Sequence, residues 1–316
     1  AAGVGQNKET HTAAPLQRRA GSKAARRTCA IHRYATSHNT LEQRSLFYIP
    51  SKKRSMAYLG GKARSANYIL DILNAKVFDN LTYIEPFVGY AHILRRVKNK
   101  KKYIAYDKSP LLVTLLKAVQ KKRHLPHVNE KEWRECKKNG KTSLKCALAC
   151  YTHSLFGIPF SQYLGPVNKN SKYHNSSGEA RRYYSNKLQT SSSFMKANIR
   201  QMDFLKLKNV KNCLIFCDPP YPSSGKAINK EYKQTIDTES LWAKIRKLSK
   251  HNYVFVCERK APKGFVCVSS VHKANFKRMY KKPLTSPWKG RECLFVVRNS
   301  PGHKMFLKIQ KQKKSK

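Results

Sequence analysis

Asp218-Pro219-Pro220-Tyr221 follows directly on the apolar run Cys213 to Cys217. A carboxylate and the Pro219 carbonyl can both accept hydrogen bonds there, two prolines stiffen the turn that aims them, and Tyr221 offers a ring for stacking. A second group, Tyr83-Ile84-Glu85-Pro86-Phe87-Val88-Gly89, ends another short apolar run, and Gly89 lets a backbone approach a ligand closely. Asp107 ends a third such run, and Tyr58-Leu59-Gly60-Gly61-Lys62 precedes all of them. Carboxylates at the ends of several apolar runs suit a site built at the carboxyl edge of a parallel sheet, the usual place for nucleoside cofactors. No metal is required by these residue types.

The elements that must position these groups can be read from the pattern. Leu81 to Phe87 and Lys102 to Asp107 read as strands, with Ala91 to Lys98 as a helix between them. Ser109-Pro110 is an N-cap and first-turn pair, so Leu111 to Gln120 is expected as a helix with Leu112, Leu115, Leu116 and Val119 inward. After Cys213 to Cys217, Thr238 to Ser249 is amphipathic through Leu241, Trp242, Ile245 and Leu248. Tyr253 to Cys257, Phe265 to Val268 and Cys293 to Val297 read as further strands. The alternation gives an α/β fold class, a mostly parallel sheet with crossover helices.

Between these halves, residues 121–195 are rich in Lys, Asn and Ser and carry aromatic clusters at Phe156, Phe160, Tyr163, Tyr173, Tyr183 and Tyr184. They read as an insertion with its own helix, Ser143 to Leu155. The core is then 56–120 with 196–300, preceded by a basic leader, 1–55, and followed by a basic tail, 301–316, with no apolar period beyond Phe306 to Ile309.

Composition narrows the partner. The 65 Lys and Arg against 17 Asp and Glu give a formal charge of +48, so an isolated chain repels itself unless a polyanion neutralises it, and nucleic acid is the expected partner. The leader holds 11 Lys or Arg and 2 Glu, which leaves about +39 on the remainder, so the basicity belongs to the whole molecule. Rich in Arg, Ala, Ser and Thr, the leader suits organelle (mitochondrial) targeting or RNA binding. Nine Cys without a Cys-x-x-Cys pair argue against a secreted disulfide framework and for a reducing compartment. Cys146, Cys150 and His153 could share one helical face, where a packed helix is favoured over zinc because a fourth ligand is lacking. No uninterrupted apolar run reaches the length that spans a bilayer, and a soluble chain without a membrane partner is expected.

The order of Tyr58-Leu59-Gly60-Gly61-Lys62, Glu85-Pro86-Phe87-Val88-Gly89, Asp107 and Asp218-Pro219-Pro220-Tyr221 resembles the Dam-like, Asp-Pro-Pro-Tyr class of S-adenosylmethionine-dependent adenine-specific DNA methyltransferases, over nearly all of 56–298. Phe156-Gly157, Asp203-Phe204 and Arg291-Glu292-Cys293-Leu294-Phe295 agree with it. The resemblance implies a Rossmann-like methyltransferase fold with 121–195 as target-recognition region. It implies catalysis by Asp218, Pro219, Pro220 and Tyr221, and cofactor binding through Tyr58, Gly60, Gly61, Lys62, Glu85, Phe87, Gly89, Asp107 and Asp203. Phe87 and Gly89 would line the cofactor cleft and Asp107 would take the ribose hydroxyls. The sequence departs from the family where Tyr90-Ala91-His92 replace further small residues, and where Cys257-Glu258-Arg259 stands for Ser-Glu-Tyr.

Two functions fit this pattern. In one, the chain transfers methyl from S-adenosylmethionine to the exocyclic amine of adenine in DNA or RNA. In the other, a methyltransferase fold without catalysis serves as an rRNA-bound structural component of an organellar ribosome or other ribonucleoprotein, among further proteins, since acids are scarce along the whole chain.

Overall fold

The computed structural model describes residues 62, 66–166, 176–220, 237–272 and 291–315. The leader, Tyr58, Gly60, Gly61, Tyr173 and Tyr221 lie outside the described residues, as does the side chain of Phe156.

Seven strands form one sheet: β1 (Thr82–Glu85), β2 (Lys102–Asp107), β3 (Asn198–Gln201), β4 (Cys213–Cys217), β5 (Tyr253–Glu258), β6 (Phe265–His272) and β7 (Arg291–Val297). Their spatial order is β3-β2-β1-β4-β5-β7-β6. The first five run parallel, while β7 is antiparallel to both β5 and β6. The order reverses between β1 and β4, so a crevice opens at their carboxyl ends, where open α/β sheets bind ligands. This is the expected α/β, Rossmann-like architecture of a mostly parallel sheet with crossover helices.

Both sheet faces are covered, which is why β4 reads as five consecutive buried residues. One face packs on helices α1 (Ala66–Leu73), α2 (Pro110–Gln120) and α4 (Leu144–Tyr151), with α3 (Glu130–Asn139) outside α4. The other face buries Ile84, Ile215, Val254 and Val256 against Phe204 and against Leu241, Trp242, Ile245 and Leu248. Those last four lie on α7 (Thr238–Ser249), after the short α5 (Ser177–Arg182) and α6 (Ser192–Met195).

Caps explain the helix starts. Ser109 accepts from the Leu112 N–H and Pro110 opens α2. Asn129 and Glu132 form a capping box on α3, and Gly140 ends that helix in the left-handed conformation at φ 61°. Asp237 accepts from the Ser240 N–H at the start of α7.

Two expected elements differ. Ala91 to Lys98 contains only a 3-10 turn, Leu94–Arg96. Ala91 sits at φ 54° and Asn99 at φ 56°, left-handed positions that no α-helix can run through, so the segment is broken at both ends. At the other end, the tail is a helix, α8 (Pro301–Lys314), capped by Ser300 and opened by Pro301. Its apolar side, with Ile309 buried and Met305 and Phe306 packed on the core, suffices to hold a strongly basic helix on the sheet.

The described part of residues 121–195 packs into the same core as the sheet. Trp133 Nε1 donates to Ser154 Oγ at 3.0 Å, His153 Nε2 accepts from the Val128 N–H at 3.1 Å, and Tyr184 is fully buried. Cys136 and Cys146 are joined by a disulfide that ties α3 to α4, a bridge their spacing did not announce. Cys146 is therefore committed to Cys136 and is not available beside Cys150 and His153. Among the described residues no helix is long and apolar enough to cross a membrane.

Candidate active site

Strand alternation decides which side chains meet at the crevice. Pairing of Ile84 with Ile215 and of Cys217 with Val256 puts Glu85, Asp218 and Cys257 on one face at the carboxyl ends of β1, β4 and β5. Cys257 pairs with Leu294 on antiparallel β7, which brings Glu292 to the same face of the same rim. Four adjacent strands thus present three carboxyl groups and a thiol to one spot, in a chain with only 17 acids.

Lys62 closes this cluster. Its ammonium lies 2.6 Å from an Asp218 carboxylate oxygen and 3.1 Å from one of Glu292. Lys62 and Glu292 are 3% and 2% exposed while Asp218 keeps 18%, so Asp218 is the member open to a ligand. Burial alone would lower the lysine's proton affinity, but Asp218, helped by Cys257 and Glu292, outweighs it and holds Lys62 charged. Tyr68 on α1 adds a contact of 3.2 Å from its hydroxyl to Cys257 Sγ, walling the same face.

Glu85 is in a different state. Burial drives its carboxyl well above the usual range; the Tyr83 hydroxyl, donating at 2.7 Å, opposes this, and the charge of Asp218 reinforces it. Burial thus favours the neutral form of Glu85, beside an Asp218 that is ion-paired with Lys62. Glu258, 6% exposed on β5, is pushed up to about 7 by burial, with the Arg259 N–H opposing and Asp218 reinforcing.

On the β2 side of the crevice, Asp107 accepts from the Ser109 N–H at 2.9 Å and the Gly89 N–H at 3.1 Å. Burial raises its carboxyl, while these N–H groups and that of Lys108 pull it back. Gly89 has φ 48°, and a Cβ there would meet nothing within 4 Å, so the loop borders open space. The Phe87 ring lies 5.0 Å from that of Phe204. Asp203 caps the 3-10 turn Phe204–Lys206 by accepting from the Leu205 N–H and pairs with Lys108 at 3.1 Å.

Tyr90 and His92 turn away from this space. Tyr90 donates to the Tyr151 carbonyl at 2.8 Å and packs 5.7 Å from the Tyr184 ring, both in the inserted region. The Tyr183 hydroxyl donates to the Tyr90 carbonyl at 2.8 Å and lies 2.8 Å from His92 Nδ1. Larger residues after Gly89 therefore fasten the loop to the insertion.

The structure brings Lys62, Glu85 and Asp218 into one cluster and joins Gly89 to Asp107. Pro219 is buried and Pro220 exposed beside Asp218. Asp203 is occupied by its cap and its ion pair. Sequence reasoning did not assign roles to Glu292, Glu258 or Tyr68; the period-2 alternation of β5 and β7 was the available signal for the first two.

Residues 58–145 match the D12 class N6 adenine-specific DNA methyltransferase family. The matched segment runs from the Gly60-Gly61-Lys62 stretch into α4 and includes Glu85, Gly89 and Asp107, while Asp218 and Glu292 lie beyond it. A comparison with curated proteins returns no match. Among solved structures, the rRNA methyltransferase aviRa from Streptomyces viridochromogenes is 15% identical, with 77% of this chain and 88% of that one covered, at a TM-score of 0.36. SMU.472, a putative methyltransferase complexed with SAH, is 12% identical over 78% of this chain and 55% of that one, at a TM-score of 0.30. Scores this low add nothing to the strand order, which carries the fold by itself.

Proposed function

We propose that this chain transfers a methyl group from S-adenosylmethionine to the exocyclic amine of adenine in nucleic acid. The observation that carries the reading is the Asp218 carboxylate, partly open at the carboxyl end of β4 and held ionised by Lys62, beside an open loop at Gly89 and a carboxylate at Asp107.

The residues present fit the cofactor. Asp107 keeps lone-pair capacity beyond the backbone N–H groups it accepts, enough for a ribose hydroxyl, and stands 18 residues after Gly89. Phe87 and Gly89 would border the rest of the cofactor, which supplies an electrophilic methyl on a sulfonium.

Adenine's amine is a weak nucleophile because its lone pair is delocalised into the ring. Asp218 and the Pro219 carbonyl would accept its two N–H bonds, localising that lone pair and holding it in line. Asp218 is also the acceptor for the proton the amine sheds as the new N–C bond forms. Tyr221 would stack on the base. A base within a duplex cannot reach such a rim, so it must be flipped out or already unpaired. The charge pattern supports this division of labour, with a carboxyl-lined centre for amine donors in a chain otherwise basic enough to hold phosphates.

Titration calorimetry with S-adenosylmethionine tests the reading. Wild type should bind, and Asp107→Ala should weaken binding by about 1–3 kcal/mol, the scale of charge-assisted hydrogen bonds left unmade. No binding at millimolar cofactor would contradict it and favour a scaffold without catalysis.

A further inference from the structure

The sheet face opposite Asp218 carries a charge cluster that the proposed chemistry does not use. Lys244 on α7 extends along the surface to donate to the Leu205 carbonyl at 2.8 Å. Lys247 stands one turn further along α7, and Lys208 follows Leu205 by three residues, so Lys244 lies among like charges that, after burial, lower its proton affinity. Lys206, Lys208, Lys247 and Lys250 are exposed around it. Among the described residues none of these lysines has a carboxylate within ion-pair distance, and the nearby Asp203 is paired with Lys108. Glu239, in the first turn of α7, is the one acid on that helix.

The basic helix α3 is built differently. On α3, Glu130 pairs with Arg134 and Glu132 with Lys145, both at 2.7 Å, so that surface neutralises itself. Unpaired like charges held together on a folded surface cost free energy, and an anion of matching spacing relieves it.

We propose that the α7 face, centred on Lys208, Lys244 and Lys247, is a docking surface for the phosphate backbone of duplex DNA, separate from the rim that takes the target base. The choice of a duplex follows from the chemistry of the patch. Among the described residues it offers point charges and no exposed aromatic ring, since Trp242 is buried and Phe265 is covered by Arg246 at 4.9 Å. Such a surface meets phosphates and does not stack on single-stranded bases. The choice of DNA rests on the proposed function, whereas the backbone contact itself does not.

The test is the salt dependence of binding, measured by fluorescence anisotropy with a labelled DNA duplex and without cofactor. Lys208→Gln with Lys247→Gln removes two exposed charges and leaves the Lys244 hydrogen bond in place. The log-log slope should flatten by about 1.8, as each lost phosphate contact removes about 0.9 on B-form DNA, and equally for two unrelated sequences. Lys208→Glu with Lys247→Glu should weaken binding further, with an unfolding midpoint like wild type certifying the fold. An unchanged slope in both variants would overturn the proposal, as would a loss confined to single-stranded DNA. Because no cofactor is present, a chain that binds DNA through this face yet transfers no methyl group would leave the surface standing and the catalytic reading refuted.

Discussion

Lys62 and Asp218, separated by more than 150 positions in the chain, form a 2.6 Å ion pair at the rim of the sheet, with Glu292 on the other side of the same ammonium at 3.1 Å. One buried cation therefore serves two carboxylates, one at the end of β4 and one on β7.

Removing that cation should be costly. Lys62→Met removes the ammonium that pairs with both Asp218 and the buried Glu292, a loss of about 3–5 kcal/mol for a broken buried pair. Chemical denaturation checks this, and a change under 1 kcal/mol would show that the carboxylates find compensation elsewhere. In surviving protein the acid limb of the pH–rate profile should move to higher pH, because Asp218 loses the charge that favours its ionised form.

The pH dependence of stability should separate two buried groups of opposite sign. His92 is pushed down to about 3, first by burial and then by Arg95 and Lys62. The unfolded chain binds its proton below the ordinary histidine value while the folded chain does not, so the stability His92 contributes is present above about 6.5 and lost as pH falls. Glu258 works the other way. Its carboxyl, pushed up to about 7, is protonated in the folded state between about 4.5 and 7, so its contribution is present at the acid end and lost as pH rises through that window. Comparing denaturation at pH 5 and pH 7.5, Glu258→Gln should gain on wild type at the higher pH by up to about 3 kcal/mol. His92→Asn should gain on wild type at the lower pH. Parallel curves for both variants and wild type would contradict these assignments.

Tyr90→Phe tests the fastening of the cofactor loop. The buried hydroxyl donates to the Tyr151 carbonyl, so its loss should cost about 1–2 kcal/mol by leaving that acceptor unmet. Affinity for S-adenosylmethionine should stay within about twofold, because the ring points into the insertion. A variant with unchanged stability but altered cofactor affinity would place Tyr90 in the cleft instead.

Much of this was legible before the fold. The strands carrying Glu85, Asp107 and Asp218 end where their apolar runs end, and Ser109-Pro110 announced α2, because caps and strand periodicity are local signals. Ser300-Pro301 carries the same signature, yet the sequence beyond it reads as a tail; lysines on most of its surface hide the apolar side formed by Met305, Phe306 and Ile309. The left-handed Ala91 had no local signal, since alanine rarely takes that conformation and is held there by surrounding packing. Glu292 could be matched by motif but not assigned a partner, because only the antiparallel register of β7 on β5 brings it to Lys62. The spatial grouping of Lys208, Lys244 and Lys247 was hidden for a similar reason: two elements distant in sequence supply it.

The most direct measurement is mass-spectrometric detection of N6-methyladenine in an adenine-containing DNA duplex incubated with the purified chain and S-adenosylmethionine carrying an isotopically labelled methyl group. Wild type should place the label on the exocyclic amine. Asp218→Ala should fold, since Lys62 keeps Glu292 as partner, bind cofactor nearly as wild type does, and transfer the methyl several powers of ten more slowly. Label that never appears on adenine with wild type, or that appears equally fast with Asp218→Ala, would contradict the account.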